Sequence, residues 1–523
     1  MVYALKLLLP VLIIGLLSLF ALRSAFASLL TKTQYQRAAF LLIATTVVSF
    51  LAHSQLLYIV ALAGVALFAQ AYLGGGVRGK AAAYMLLVLV LPPLAYGIGG
   101  VGGINYVLDV SGTRVLSLVL LPVAALKLMG DKTFQRPRWV VSVDLAVIGY
   151  AALRIMLMAP HGSLTTSLRS IVEFTLDVLL PYYVFSRAFR SEADLRFVLA
   201  HLAMGCVLAA SVGCAEFALH RLLYSELQWV YGYRWQLTMT LLRGDHLRVQ
   251  AMTPQPIVLA FEMIFGLGLW TFLCGREWRR KPVLFVYGLL AACLYFTFSR
   301  GPLIGAVVFG ICFLGLQKLP VRAFVTLLLL VLAAGVAVKI AGADAAIMTA
   351  LSGVFGSSAA DLSSIAYRNE LLDTALALLR QSPWLGVPNY AAQMQDLKQG
   401  EGIIDIVNSY VAIALDAGFI GVAVYLVPYA IVLNRLFHML GAAGGQASEA
   451  GTVKFARVLA AMTVALLLTI FTTSTISTMP FLLVMLLGLP IARLSMKPSA
   501  ADGQEGPVPT RIYTAQGFYV TDR

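Results

Sequence analysis

A chain of 523 residues in which 60% are hydrophobic and only 12% charged cannot dress itself for water, because roughly a quarter of the residues in ordinary soluble domains are Asp, Glu, Lys or Arg. Lipid must supply the surroundings, which excludes a soluble globule. The formal net charge of +14 does not point to nucleic acid: no such motif is present, and the basic residues follow a topological pattern instead.

Apolar windows of about 17–25 residues, the length a helix needs to cross hydrocarbon, recur along most of the chain. In lipid every backbone N–H and C=O must be satisfied internally, so these windows are expected to be helices. They fall near 5–22, 38–53, 56–73, 82–98, 114–129, 139–158, 170–186, 197–220, 255–273, 283–298, 302–316, 323–341, 406–433, 457–475 and 478–494. The expectation is an all-α polytopic membrane protein with about 12–15 transmembrane helices. By region this gives N-terminal transmembrane helices over 1–220, an extracytoplasmic loop at 221–253 and further transmembrane helices over 254–341. A large extracytoplasmic loop at 342–405, C-terminal transmembrane helices over 406–498 and a disordered cytoplasmic tail at 499–523 complete the chain.

Basic residues cluster in alternate connections. The groups are Arg23, Lys32 and Arg37; Arg78 and Lys80; Lys132, Arg136 and Arg138; Arg187, Arg190 and Arg196; Arg276, Arg279, Arg280 and Lys281; Lys318 and Arg322; Arg435, Lys454 and Arg457; and Arg493 with Lys497. The positive-inside rule makes these connections cytoplasmic, with the N-terminus outside. Ala25-Phe26-Ala27 has the small-x-small pattern of a cleavage site. A cleaved signal carries its charge ahead of the apolar core, whereas Arg23, Lys32 and Arg37 follow it, so the first helix is expected to be retained.

Within the larger loop, Asn369–Arg380 reads as a helix whose Leu371, Leu372, Ala375, Leu378 and Leu379 share one face. The turn Ser382-Pro383-Trp384-Leu385-Gly386 follows it.

Positive charge on the expected outer side is the anomaly. Arg221, Arg234, Arg243 and Arg248 lie in the first long loop, Arg300 between two spans, and Arg368 in the second loop. Guanidinium forks match phosphate geometry and stay charged, which points to an anionic ligand. The structural alternative is snorkelling, or pairing with acids such as Glu370 and Asp373. Inside the spans, Glu173 and Asp177 stand four residues apart and read as an ion-pair ladder with Arg169 or Arg154. Glu216 and Glu262 either line a cavity or pair with arginine. Cys206, Cys214, Cys274, Cys293 and Cys312 fall in spans without a CxxC pair, and no histidine spacing suggests a metal site. No phosphate-binding glycine loop for a nucleotide is present either.

Several stretches resemble the O-antigen ligase/polymerase superfamily over about 245–435. Phe296-Thr297-Phe298-Ser299-Arg300-Gly301-Pro302 is similar to its Ser-Arg-Gly signature. Tyr367-Arg368-Asn369-Glu370, followed by Ser382-Pro383-Trp384-Leu385-Gly386, resembles its loop arginine, short helix and SPxxG turn. Asp405-Ile406-Val407-Asn408-Ser409-Tyr410 with Asp416-Ala417-Gly418-Phe419-Ile420-Gly421 resembles its HN and ExG segment, and Arg248-Val249-Gln250-Ala251 a stretch upstream.

The resemblance implies an inverting, metal-independent membrane glycosyltransferase without cofactor, in a bacterial inner membrane with its active site toward the periplasm. Its donor would be an oligosaccharide on undecaprenyl pyrophosphate, and its partners the bilayer, a chain-length regulator and a flippase. On this reading Arg300 and Arg368 neutralise the leaving diphosphate and Asp405 or Glu401 acts as base. Arg248, Arg243, Asn408, Tyr367 and Tyr410 bind substrate. The family's ligases carry a His before the Asn of the HN segment, where this chain has Val407. That departure favours a polymerase joining repeat units over a ligase attaching glycan to lipid A–core. A lipid-linked oligosaccharide flippase is the alternative of a different class. It would show internal repeats, which this sequence lacks, and has no need of a long ordered loop carrying an arginine. A peptidoglycan strand polymerase is nearer in chemistry, but its pattern is absent.

Overall fold

In the computed structural model, residues 2–99, 106–131, 134, 136–161, 164–227, 231, 241–243, 245–274, 277–340, 359–397, 404, 406–442 and 451–496 are described. They form an all-α polytopic membrane protein with two small antiparallel hairpins, Ala95–Gly99 with Tyr106–Ser111 and Leu242–Arg243 with His246–Leu247. Among the described residues, nine helices are long and apolar enough to cross a membrane, and Lys281–Phe296, Val321–Leu330 and Met479–Leu494 are shorter apolar helices.

Burial sorts the helices into a core and a lipid-facing ring. Glu192–Leu219 runs through the centre and, with Gly76–Leu87 and Pro256–Leu273, is buried along nearly its whole length. Small residues let these helices approach: Gly205 faces the Leu86 carbonyl and Gly213 faces Cys293. On the outer helix Arg300–Lys318, Ile304, Val307, Ile311 and Leu314 recur at helical spacing and are all exposed. Such a stripe suits hydrocarbon, not water.

Three expected spans differ in detail. The window 82–98 is helical only to Leu87; Pro92 and Pro93 remove backbone donors, and the chain turns into the first hairpin. The window 170–186 belongs to a helix that begins at Leu164 and contains a π turn at Thr175–Leu179. The window 406–433 is the helix Ser409–Ala442, broken at Ala417–Gly418. The loop helix is longer than expected, Ala359–Gln381, and buries Leu371, Ala375 and Leu378 against Met394, Ile406 and Leu415 in a small core of its own. The tail at 499–523 lies outside the described residues.

Residues expected on one membrane face gather at one end of the bundle. There Arg187 pairs with Asp144 at 2.6 Å, Arg493 with Glu192 at 3.0 Å and Arg78 with Asp194 at 3.2 Å. The long connections, the Ser-Arg-Gly turn and the loop helix lie at the other end.

Candidate functional site

At that second end the turn before Arg300 is clamped from three sides. Phe298 takes a left-handed conformation, φ +47°, and its ring stacks on His246 at 5.4 Å. Arg243 donates to the Phe298 carbonyl at 2.7 Å, and Arg248 donates to the Thr297 carbonyl and to Ser299 Oγ, both at 3.0 Å. Arg248 is itself held by its neighbours. The buried Glu216 carboxylate accepts from the backbone N–H groups of Gln250 at 2.9 Å, Ala251 at 2.8 Å and Leu223 at 2.8 Å. Neither intramembrane glutamate has an arginine partner in these contacts: Glu262 accepts from the Thr478 hydroxyl at 2.6 Å.

Arg300 then opens its helix, half-buried. Gly301 and Gly305 pack against Thr472 and Thr469, where any Cβ would overlap the threonine hydroxyls. The glycine after the arginine therefore brings this helix against the link 470–478.

The same link receives the HN-like segment. Ser409 donates to the Thr473 carbonyl at 2.7 Å and shares a hydrogen bond with Thr475 at 2.5 Å. Asn408 accepts from the N–H groups of Tyr410 at 3.0 Å and Val411 at 3.3 Å, capping the helix. Tyr410 donates to the Leu467 carbonyl at 2.8 Å, and Tyr367 to the Leu397 carbonyl at 2.8 Å.

The SPxxG-like turn and the Asp416-Ala417-Gly418 segment prove to be two halves of one lock. Ala417 (φ −148°, ψ 16°) and Gly418 (φ +65°, ψ −170°) break the membrane helix, and Ser382–Gly386 plugs the gap. The Val387 N–H donates to the Leu415 carbonyl at 2.7 Å and the Phe419 N–H to the Pro383 carbonyl at 2.9 Å. Carbonyls and amides orphaned by the break are thus satisfied inside the membrane protein, as a low-dielectric site demands. Both glycines are dictated by space as well as by φ: a Cβ on Gly386 would stand 2.5 Å from the Leu415 carbonyl oxygen, and one on Gly418 would overlap the Trp384 carbonyl.

Beside the break is a chamber of about 660 Å³, within the range of ligand pockets. Its charged lining is Arg114, Glu173, Asp177, Arg154 and Asp416. Arg114 donates to Glu173 at 2.8 Å, to Asp177 at 2.8 Å and to the Asp109 carbonyl at 2.7 Å. Arg154 donates to Asp416 at 2.8 Å. The partner of the Glu173–Asp177 pair is thus Arg114, from another helix, while Arg154 reaches the helix break. The π turn adds a residue between the two acids and the following helix, a distortion that recurs at functional sites. Tyr390 closes the chamber from the loop; burial pushes its phenol up to about 12, the Asp416 charge adding to this and Arg154 opposing it. It therefore stays a hydrogen-bond donor at neutral pH.

Of the residues singled out from the sequence, Arg243, Arg248, Asn408 and Tyr410 meet around the link 470–478 or the turn before Arg300, and Tyr367 lies under the loop helix. Arg300 adjoins the link whose Ser474 and Thr475 line the chamber, without lining it itself. The Arg368 side chain, Asp405 and Glu401 lie outside the described residues. Sequence reasoning missed the chamber's Arg114, Arg154–Asp416 pair and Tyr390. The available signal was ionisable residues within apolar spans; their partners come from distant helices, which spacing does not reveal. Among the described residues, no group of three His, Cys, Asp or Glu side chains is placed to hold a metal ion.

Replacing Arg114 by alanine leaves Glu173 and Asp177 without a counter-charge. Removing one member of a buried pair costs about 3–5 kcal/mol, and less here because the two carboxylates are about a third exposed. A lower melting temperature in detergent is expected, with incomplete rescue by lysine, which cannot fork to two carboxylates and a carbonyl. A melting temperature unchanged in Arg114→Ala would reject this role.

The fold and this end of the bundle define a polytopic membrane protein with a polar, ion-paired chamber beside a broken helix. Residues 259–426 match the family model described as O-antigen ligase, so the chain carries the segment of the O-antigen ligase/polymerase superfamily. The function this supports is of the ligase/polymerase type, that of a membrane glycosyltransferase-like enzyme. No curated protein matches the chain.

Proposed function

We propose that the chain is a polysaccharide polymerase of a bacterial inner membrane, working at the periplasmic face. It transfers an undecaprenyl-pyrophosphate-linked glycan to the acceptor hydroxyl of another lipid-linked repeat unit, with inversion and without a metal ion. The observation that carries this reading is the convergence of the family segment's separate signatures on one end of the bundle. The clamped Ser299-Arg300-Gly301 turn, the HN-like segment and the SPxxG lock all pack on or beside the link 470–478 or the broken helix.

In the reaction the acceptor oxygen attacks the anomeric carbon, the bond from that carbon to the diphosphate oxygen breaks, and undecaprenyl pyrophosphate leaves. Arg300 and Arg368 offset the charge that develops on the leaving diphosphate, a role in which preorganised donors contribute most. Arg243 and Arg248 fix the turn that presents Arg300. Asp405 or Glu401 takes the hydroxyl proton, and Val407, in place of the ligases' histidine, favours the polymerase.

The test is turnover of a defined undecaprenyl-pyrophosphate repeat unit by the purified full chain. A ladder of polymer that persists in EDTA is expected. Loss on chelation contradicts the metal-free step, and transfer only to lipid A–core makes the chain a ligase. In cells, deletion is expected to remove the ladder and keep single repeats; accumulation of free undecaprenyl-linked polymer would instead favour the ligase.

A further inference from the structure

The chamber beside the broken helix has the wrong charge for a diphosphate. Its described charged lining comprises two arginines and three carboxylates, and both guanidiniums are already engaged: Arg114 by Glu173 and Asp177, Arg154 by Asp416. An anion placed there would meet a surplus of negative charge in a partly desolvated space, which disfavours it strongly. A neutral polyhydroxylated ring meets the opposite conditions. Carboxylates held rigid by arginine accept from hydroxyls, the Tyr390 phenol and the hydroxyls of Ser409 and Thr475 offer further partners, and apolar ring faces need flat apolar walls. Such walls are present: Tyr150 lies 5.3 Å from Tyr425 and 6.2 Å from Phe174, ring centre to ring centre, and all three line the chamber.

We propose that the 660 Å³ chamber is a subsite for an uncharged sugar ring of the lipid-linked glycan, separate from the place where the diphosphate is held. The proposal rests on the glycosyl-transfer reading and adds which part of the substrate enters and what charge it carries. Arg154 and Asp416 present the polar wall, Tyr390 closes over the ring, and acidic sugars are excluded by the carboxylates. The substrate's two halves are thus read by two differently charged regions on either side of the link 470–478.

The test uses the full chain in lipid nanodiscs and two soluble probes: the neutral oligosaccharide released by mild acid from the cell's own lipid-linked repeat unit, and inorganic pyrophosphate. Ala412→Trp fills the chamber from its wall, and Tyr390→Phe removes one hydroxyl without changing the packing. The oligosaccharide is expected to bind at least tenfold more weakly to Ala412→Trp and several-fold more weakly to Tyr390→Phe, with pyrophosphate binding unchanged in both. Oligosaccharide affinity within twofold of wild type in both variants overturns the chamber assignment, as does competition between the two probes. A folded Tyr390→Phe protein keeps the test decisive should Ala412→Trp fail to fold. The parent reading is tested apart from this by polymer formation in Arg300→Ala: a ladder there defeats glycan transfer at Arg300 whatever the chamber binds.

Discussion

Arg300→Ala and Arg368→Ala are each expected to abolish polymer while the protein still inserts into the membrane. On the proposed mechanism no metal offsets the leaving diphosphate, so guanidinium groups must. Loss of one preorganised donor of this kind costs about 10²–10³ in rate, and a charged donor facing a diphosphate stands at or beyond the upper end. Arg300→Lys keeps the charge but loses the fork, and is expected to retain a trace of activity. The clamp makes Arg300 informative: Arg243, Arg248 and Ser299 hold the turn through its backbone and hydroxyl, so truncating the Arg300 side chain leaves the turn in place. Polymer is read on gels and insertion by membrane fractionation. Normal polymer in both variants rejects the assignment.

Gly418→Val is expected to give the largest loss of stability among single glycine changes at this end. A residue other than glycine at φ +65° costs about 1–2 kcal/mol on backbone grounds alone. Here the added Cβ also overlaps the Trp384 carbonyl, a backbone atom held in the lock by hydrogen bonds and unable to swing aside. The turn must then leave the helix break, exposing the Leu415 carbonyl and the Phe419 amide to a medium without water to satisfy them. Much reduced protein in the membrane fraction, or a melting temperature many degrees lower in detergent, is the expected result. Gly310→Val is the control, since Gly310 has open space around it. Equal stability of the two variants would show that the lock does not hold the helix.

The resemblance quoted SPxxG and Asp-Ala-Gly as separate signatures more than thirty residues apart. In space they are one device, and each glycine is required by the other segment's backbone. The same holds for Arg248: the sequence offered it as a ligand for phosphate, while its described contacts are the Thr297 carbonyl and the Ser299 hydroxyl. Isolated basic residues on an outer face advertise charge, but whether that charge faces a ligand or a carbonyl depends on which segment packs above it.

Lipid residence, helical class and the grouping of basic residues followed from the sequence alone. Each rests on local quantities: apolar run length, backbone saturation in hydrocarbon, and charge between runs. The amphipathic loop helix was legible for the same reason, since its apolar face repeats within one element. Only the tertiary structure decided that Arg114 serves Glu173 and Asp177, that Arg154 reaches Asp416 across 262 positions, and that a chamber forms where they meet. Such pairs depend on how helices pack side by side, and in a bundle that order is set by long-range fit, which no local pattern encodes.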